Sequence, residues 1–151
     1  MTASSQASTP VARTATVKPV AEDQATGLVA EIYADIKRTK NIDFVPNFWR
    51  VLATNPQLLQ SVWQQLKTWM HPEACGREPA LDPLTREIIA LAVSATNGCE
   101  YCINSHSAAV RRLGLSQEGL GEVLAITGLF NLTNTLSDGY QIEPDVFPPQ
   151  E

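Results

Sequence analysis

Apolar residues along this chain recur three and four positions apart rather than at alternate positions, which is the spacing of helix faces and not of half-buried strands. Leu28, Ile32 and Ile36, with Tyr33 alongside, predict an amphipathic helix from about Glu22 to Lys37. A second is expected from about Pro46 to Thr54, carrying Phe48, Trp49 and Leu52. Asn55-Pro56 is a start signal for a third, since the Asn side chain can accept an orphan N–H and proline is tolerated at the first helical position. Leu58, Leu59, Val62, Leu66 and Trp69 form its apolar stripe. His71 to Ala80, with Pro72, Gly76 and Pro79, reads as a loop. Asp82-Pro83 then repeats the start signal, and the fourth helix should reach about Thr96, where Asn97 and Gly98 can stop it. A fifth is expected from about Cys99 to Leu113, ended by Gly114, and Ser116 caps a last one through Leu120, Val123, Leu124 and Phe130. No segment keeps a strand period. The expected fold is all-α, a single-domain bundle of about six helices without an internal repeat.

The two ends fall outside this pattern. Residues 1–19 are a polar arm rich in Ser, Thr and Ala, expected to be flexible, and the helical domain is expected over 20–140. Residues 141–151 form an extended tail with Pro144, Pro148 and Pro149, in which Ile142, Val146 and Phe147 can pack against the body or another subunit.

Composition narrows the class. A chain of 151 residues with 44% hydrophobic and 18% charged residues can bury a sizeable core. A formal charge of −5 argues against nucleic acid as a partner, because phosphate-backbone binders concentrate Lys and Arg. The first residues have neither a basic start nor an apolar run, and no stretch approaches the length of a membrane span, so no membrane partner is expected. Three cysteines are too few, and odd in number, for a secreted disulfide scaffold. A cytoplasmic, reducing compartment follows, and there a close cysteine pair is a matter of chemistry.

Cys99, Cys102 and His106 are such a group. Offsets of three and four place them within roughly 60° of one another on a helix. Their face continues into Ala109, Val110 and Leu113, so sulfurs and imidazole are expected on its half-buried side. Helical residues three apart have Cα atoms roughly 5–6 Å apart, inside the disulfide range. Cys99 sits by the helix start, where partial positive charge and free N–H groups favour a thiolate, and an imidazole one turn beyond Cys102 can take its proton. On the preceding helix Glu87 falls in the stripe Leu84, Ile88, Leu91 and Ala95, and a buried carboxylate should pair or take up a proton. If the two helices fold back at Asn97-Gly98, Glu87 and His106 lie about 16 and 12 Å from the turn, a spacing that permits contact.

Other chemistry-bearing residues have plainer readings. Cys75 is a core filler or loop thiol, and His71, beside Pro72, is a capping or surface residue. The tryptophans and Tyr33 are core or subunit-contact residues, and Tyr101 points away from the cysteine face.

The run EIIALAVSATNGCEYCINSHSAAVRRLG, with Glu87, the Cys99-Glu100-Tyr101-Cys102 motif and His106, resembles the alkylhydroperoxidase D-like, peroxidase-related branch of the carboxymuconolactone decarboxylase family. The likeness covers roughly Leu81 to Leu115, and the helix after Asn55-Pro56 looks like the family's upstream helices. It implies an all-α fold assembled as a homo-oligomer, commonly a trimer or hexamer, and thiol-dependent reduction of a hydroperoxide substrate with no bound cofactor. Carried over by position, Cys102 is the peroxidatic sulfur, Cys99 the resolving one, and Glu87 with His106 the proton relay. Re-reduction by a lipoyl-bearing or other dithiol partner is implied as well.

Three alternatives stand beside this. Two Cys, a His and a Glu can complete a tetrahedral zinc set, although CxxC zinc sites generally bend the backbone around the metal. The family's decarboxylase chemistry does not call for a cysteine pair. A non-catalytic helical oligomer whose cysteines pack or sense oxidation would react once and not turn over. Haem attachment needs His directly after the second Cys, where Ile103 stands, and a thioredoxin-like site needs strands.

Overall fold

The computed structural model describes residues 15–149, so most of the expected N-terminal arm and the last two residues lie outside the described part. Among the described residues there are six α-helices and no strand: α1 (Gly27–Lys40), α2 (Asn47–Leu52), α3 (Pro56–Met70), α4 (Pro83–Thr96), α5 (Glu100–Arg112) and α6 (Gln117–Gly139), with 3-10 turns at Glu22–Gln24 and Pro72–Cys75. The all-α reading therefore holds. The chain divides into two compact units, Met1–Arg77 and Glu78–Glu151.

In the first unit the core residues on α1 are Val29, Ile32, Tyr33 and Ile36, one stripe at helical spacing. They meet Val45, Trp49, Ala53, Leu59 and Trp63. The Trp49 and Trp63 rings pack edge to face with centroids 5.2 Å apart, a favoured aromatic geometry. Leu28, expected on this stripe, is only partly buried, and Val29 takes the core position.

The expected helix start at Glu22 is corrected. Glu22–Gln24 makes only a 3-10 turn, Thr26 is the extended N-cap, and α1 begins at Gly27, whose φ is +51°. Glu22 is diverted to long-range work: its carboxylate accepts the Val45 N–H at 2.8 Å and the Lys37 ammonium at 2.9 Å. The Val45 bond, followed by Lys37, holds the Glu22 carboxyl below its ordinary range. Tyr33 donates its hydroxyl to the Val20 carbonyl at 3.1 Å, fixing the entering segment.

Between α1 and α3, Asp35 accepts Trp63 Nε1–H at 2.7 Å and Lys67 Nζ at 2.9 Å, and pairs with Arg38. Burial would raise the Asp35 carboxyl, but the bonds from Lys67 and Trp63 with the nearby cations outweigh it and hold it below its ordinary range. Asn55 caps α3 by accepting the Leu58 N–H at 3.1 Å, as its sequence signal predicts. Trp69, expected on the α3 stripe, is instead exposed, with the Arg77 guanidinium 4.8 Å above its ring.

In the second unit Asp82 caps α4 through the Thr85 N–H at 3.0 Å and Ser116 caps α6 through the Gly119 N–H at 2.9 Å. Leu91 of α4 and Val110 of α5 are fully buried, and Arg86 and Ser94 of α4 are buried as well. The longest helix, α6, has no buried residue, and the segment after it leaves Ile142, Val146 and Phe147 exposed. Among the described residues no helix is long and apolar enough to cross a membrane.

Candidate active site

All four singled-out residues lie in the second unit, on the α4–α5 hairpin. Its turn is built on a glycine. Gly98 takes φ +66°, a region that L side chains rarely adopt, and the backbone closes with Gly98 N–H to Ala95 O at 3.3 Å and Cys99 N–H to Ser94 O at 3.1 Å. This is the paired closure of a helix whose last carbonyls are satisfied by a left-handed glycine and its successor. The successor here is Cys99, so the residue that finishes α4 also begins α5.

Cys99 is not inside the helix, as the sequence pattern predicts, but is its N-cap, with φ −81° and ψ 90°. Its Sγ accepts the Cys102 N–H at 3.3 Å. Cys99 and Cys102 form a disulfide, with Cα atoms 5.2 Å apart. A capping sulfur and the first-turn residue facing it can be joined with α5 intact, and the cap position surrounds Cys99 with the donors and dipole that favour a thiolate. Glu100 and Tyr101 lie between them, and Tyr101 is exposed, as expected for a residue turned from the pair.

His106 follows one turn after Cys102 on α5. Its Nδ1 lies 2.7 Å from Glu87 Oε2 on α4, so the contact that the helix lengths permit is made. The His106 side chain is 26% exposed and that of Glu87 15%, leaving the pair sheltered but within reach of solvent. A carboxylate accepts, so Nδ1 carries the hydrogen of this bond and the opposite ring nitrogen is left with a lone pair able to take a proton. The contact fixes the orientation of the imidazole on the face of α5 that carries Cys102.

The remaining candidates are elsewhere. Cys75 is unbonded and exposed in the 3-10 turn of the first unit, and His71 is the C-cap of α3. Among the described residues no group of three or more His, Cys, Asp or Glu is placed to hold a metal ion. Sequence reasoning did not anticipate two features. Gly98 does more than stop α4, since it sets the sulfur's position, and the signal for this was the Asn-Gly step directly before the first cysteine. Arg86 is buried next to Glu87, which no periodic pattern announces for a cation.

Comparison with known proteins agrees with this hairpin. Residues 66–142, which include all four candidates, match the model of the carboxymuconolactone decarboxylase family. The structure of the alkylhydroperoxidase AhpD core from Rhodospirillum rubrum superimposes with a TM-score of 0.79 at 45% identity, over 87% of this chain and 94% of that one. Alkyl hydroperoxide reductase AhpD of Nocardia farcinica is 30% identical over 115 residues, which is 76% of this chain and 62% of that protein. The chain thus spans about three fifths of the length of such relatives. An (R)-2-haloacid dehalogenase of Pseudomonas putida is 27% identical over 111 residues, 74% of this chain and 35% of the enzyme. With its family region, its helical fold and the CxxC motif in agreement, this chain belongs to the carboxymuconolactone decarboxylase family, among its alkylhydroperoxidase D-like members.

Proposed function

We propose that this protein is a thiol peroxidase that reduces organic hydroperoxides through the Cys99–Cys102 pair. The observation that carries the reading is the Glu87–His106 contact of 2.7 Å one helical turn from a cysteine already paired with the helix cap. An inert packing pair of cysteines has no need of an oriented imidazole.

In the reduced protein His106 takes the Cys102 thiol proton and Glu87 stabilises the resulting imidazolium. The Cys102 thiolate attacks the distal peroxide oxygen: the S–O bond forms, the O–O bond breaks, and the alkoxide leaves as alcohol with the proton returned by His106. The Cys99 sulfur then attacks the Cys102 sulfenic acid, forming the S–S bond and expelling hydroxide, which leaves as water with the Cys99 proton. One hydroperoxide is reduced and two thiols are oxidised. An external dithiol, of the lipoyl type, returns the disulfide to two thiols by exchange and is itself oxidised to its disulfide. No resident cofactor enters these steps, and a reducing compartment suits a cycle that must return to the dithiol. The names of the AhpD relatives support alkyl hydroperoxides as the substrate class.

Mass mapping of the reduced protein after one equivalent of hydroperoxide tests the reading. A reversible Cys99–Cys102 bond that spares Cys75, together with loss of turnover in Cys102→Ser, is expected. Retained turnover in that variant, or a stable oxidation product confined to Cys75, would reject the assignment.

A further inference from the structure

We propose that Ser94 is a positioning residue for the resolving thiol: in the reduced protein its hydroxyl turns onto the Cys99 sulfur and holds it as a thiolate. Its part in turnover rests on the peroxidase reading above, in which the ionised Cys99 sulfur is the form that closes the disulfide on Cys102.

The hairpin turn brings the two residues together. Cys99 N–H bonds Ser94 O at 3.1 Å and Gly98 N–H bonds Ala95 O at 3.3 Å, with Gly98 in the left-handed conformation. In this paired closure the side chain of the residue after the glycine comes against that of the residue five positions earlier, a contact that is ordinarily apolar. Here its two members are the Cys99 sulfur and the Ser94 hydroxyl.

Ser94 also faces inward. Glu87, Leu91 and Ser94 are separated by four and three residues, so they share the side of α4 that presents Glu87 to His106. Leu91 is fully buried and Ser94 is 8% exposed. The Ser94 hydroxyl donates to Ala90 O at 2.6 Å. That carbonyl is the regular helix acceptor for the Ser94 N–H, so the hydroxyl adds a bond that α4 does not need, and alanine at this position would make the better helix. With the disulfide formed, Cys99 Sγ carries no charge and the hydroxyl rests on its own helix. After reduction an ionised sulfur is a stronger acceptor than a carbonyl already in use, and a serine hydroxyl rotates to suit its acceptor. The Cys99 thiolate then has a donor from each helix of the hairpin: the Cys102 N–H of α5, now 3.3 Å from its Sγ, and the Ser94 hydroxyl of α4.

The other groups able to act on this sulfur are few. Residues 88–98 of α4 and its turn, and 123–137 of α6, hold no charged or titratable side chain. Glu100, Tyr101, Cys102 and His106 of α5 remain, with Glu87 of α4 behind His106. Replacing Ser94 alters none of them.

Alkylation by iodoacetamide across a range of pH, mapped cysteine by cysteine by mass, tests the inference. No hydroperoxide enters the measurement, so its outcome is separate from that of the turnover assay. Full-length Cys102→Ser is compared with Ser94→Ala/Cys102→Ser, both reduced, so that Cys99 titrates without the second thiol of the pair. Loss of the hydroxyl should move the midpoint of the Cys99 profile up by about one pH unit and slow its alkylation below that midpoint about tenfold. Cys75, exposed in the other unit, should keep its rate. The melting temperature should not fall, because alanine is the better helix former. A Cys99 midpoint unmoved by Ser94→Ala, an equal shift at Cys75, or a lowered melting temperature, which would give the hydroxyl a structural task, would overturn it.

Discussion

Replacing Glu87 by glutamine keeps the length of the side chain and a carbonyl oxygen able to accept from His106 Nδ1, but removes the negative charge 2.7 Å from the ring. A hydrogen bond to a charged group contributes about 1.5–3 kcal/mol and a neutral one about 0.5–1.5, so the imidazolium formed during thiol activation loses about 1–1.5 kcal/mol of support. At 1.36 kcal/mol per factor of ten this is a fall of roughly tenfold in the step that needs it. If Glu87 does more than support the ring and itself accepts the exchanged proton, glutamine cannot substitute, and the fall should reach the roughly 10²–10⁴-fold typical of a lost general acid–base group. Glu87→Ala should cost more than Glu87→Gln in either case, since it also frees the ring to rotate. The assay is hydroperoxide consumption under excess dithiol, paired with single-turnover formation of the disulfide, so that activation of Cys102 is separated from re-reduction. A Glu87→Gln protein within about twofold of wild type in the single-turnover step would show that the contact is structural and would remove the relay from the mechanism.

Other perturbations test the scaffold. Leu91→Ala removes a fully buried side chain from α4 and should lower unfolding stability by about 2–5 kcal/mol in a denaturant titration. Asp35→Ala leaves the buried Trp63 Nε1–H without its acceptor and should cost about 1–3 kcal/mol by the same measurement. Because the folded Asp35 carboxyl is held below its ordinary range, wild-type stability from this group is present above the unfolded pKa and lost as pH falls through the folded one. Acid titration of the variant should lack that part of the loss. Asn55→Ala deletes the α3 cap and should cost about 0.5–2 kcal/mol in thermal or chemical unfolding. Gly98→Ala forces an alanine to φ +66° and should both destabilise, by about 1–2 kcal/mol, and slow disulfide formation after peroxide by displacing Cys99.

Much of the fold is legible in the chain because its punctuation is chemically explicit. Asn55-Pro56, Asp82-Pro83 and Ser116 each cap a helix where their side chains predict it, and Asn97-Gly98 ends α4 with glycine in the left-handed conformation. The first helix is different: Glu22 has a helical neighbourhood in sequence, but its carboxylate is claimed by Val45 and Lys37, partners more than a dozen residues away that no local window contains. The candidate site divides in the same manner. The cysteine pair and the phased histidine are visible from spacing alone, and the Glu87 contact is at least permitted by counting back from the turn. That Cys99 caps α5 instead of lying within it depends on the backbone closure of α4, which spacing does not encode. Trp69, placed by periodicity on a buried stripe, stays at the surface under Arg77.

The cap position of Cys99 makes the two usual serine controls unequal. Serine is among the residues best suited to begin a helix, and its oxygen would take over the Cys102 amide now held by sulfur at 3.3 Å, so Cys99→Ser should leave α5 at least as firmly started as before. At position 102 the same exchange places a hydroxyl inside the first turn with no such compensation. Any difference in melting temperature between the two knock-outs would therefore report helix initiation as well as the lost crosslink, and subtracting one from the other does not isolate the contribution of either thiol.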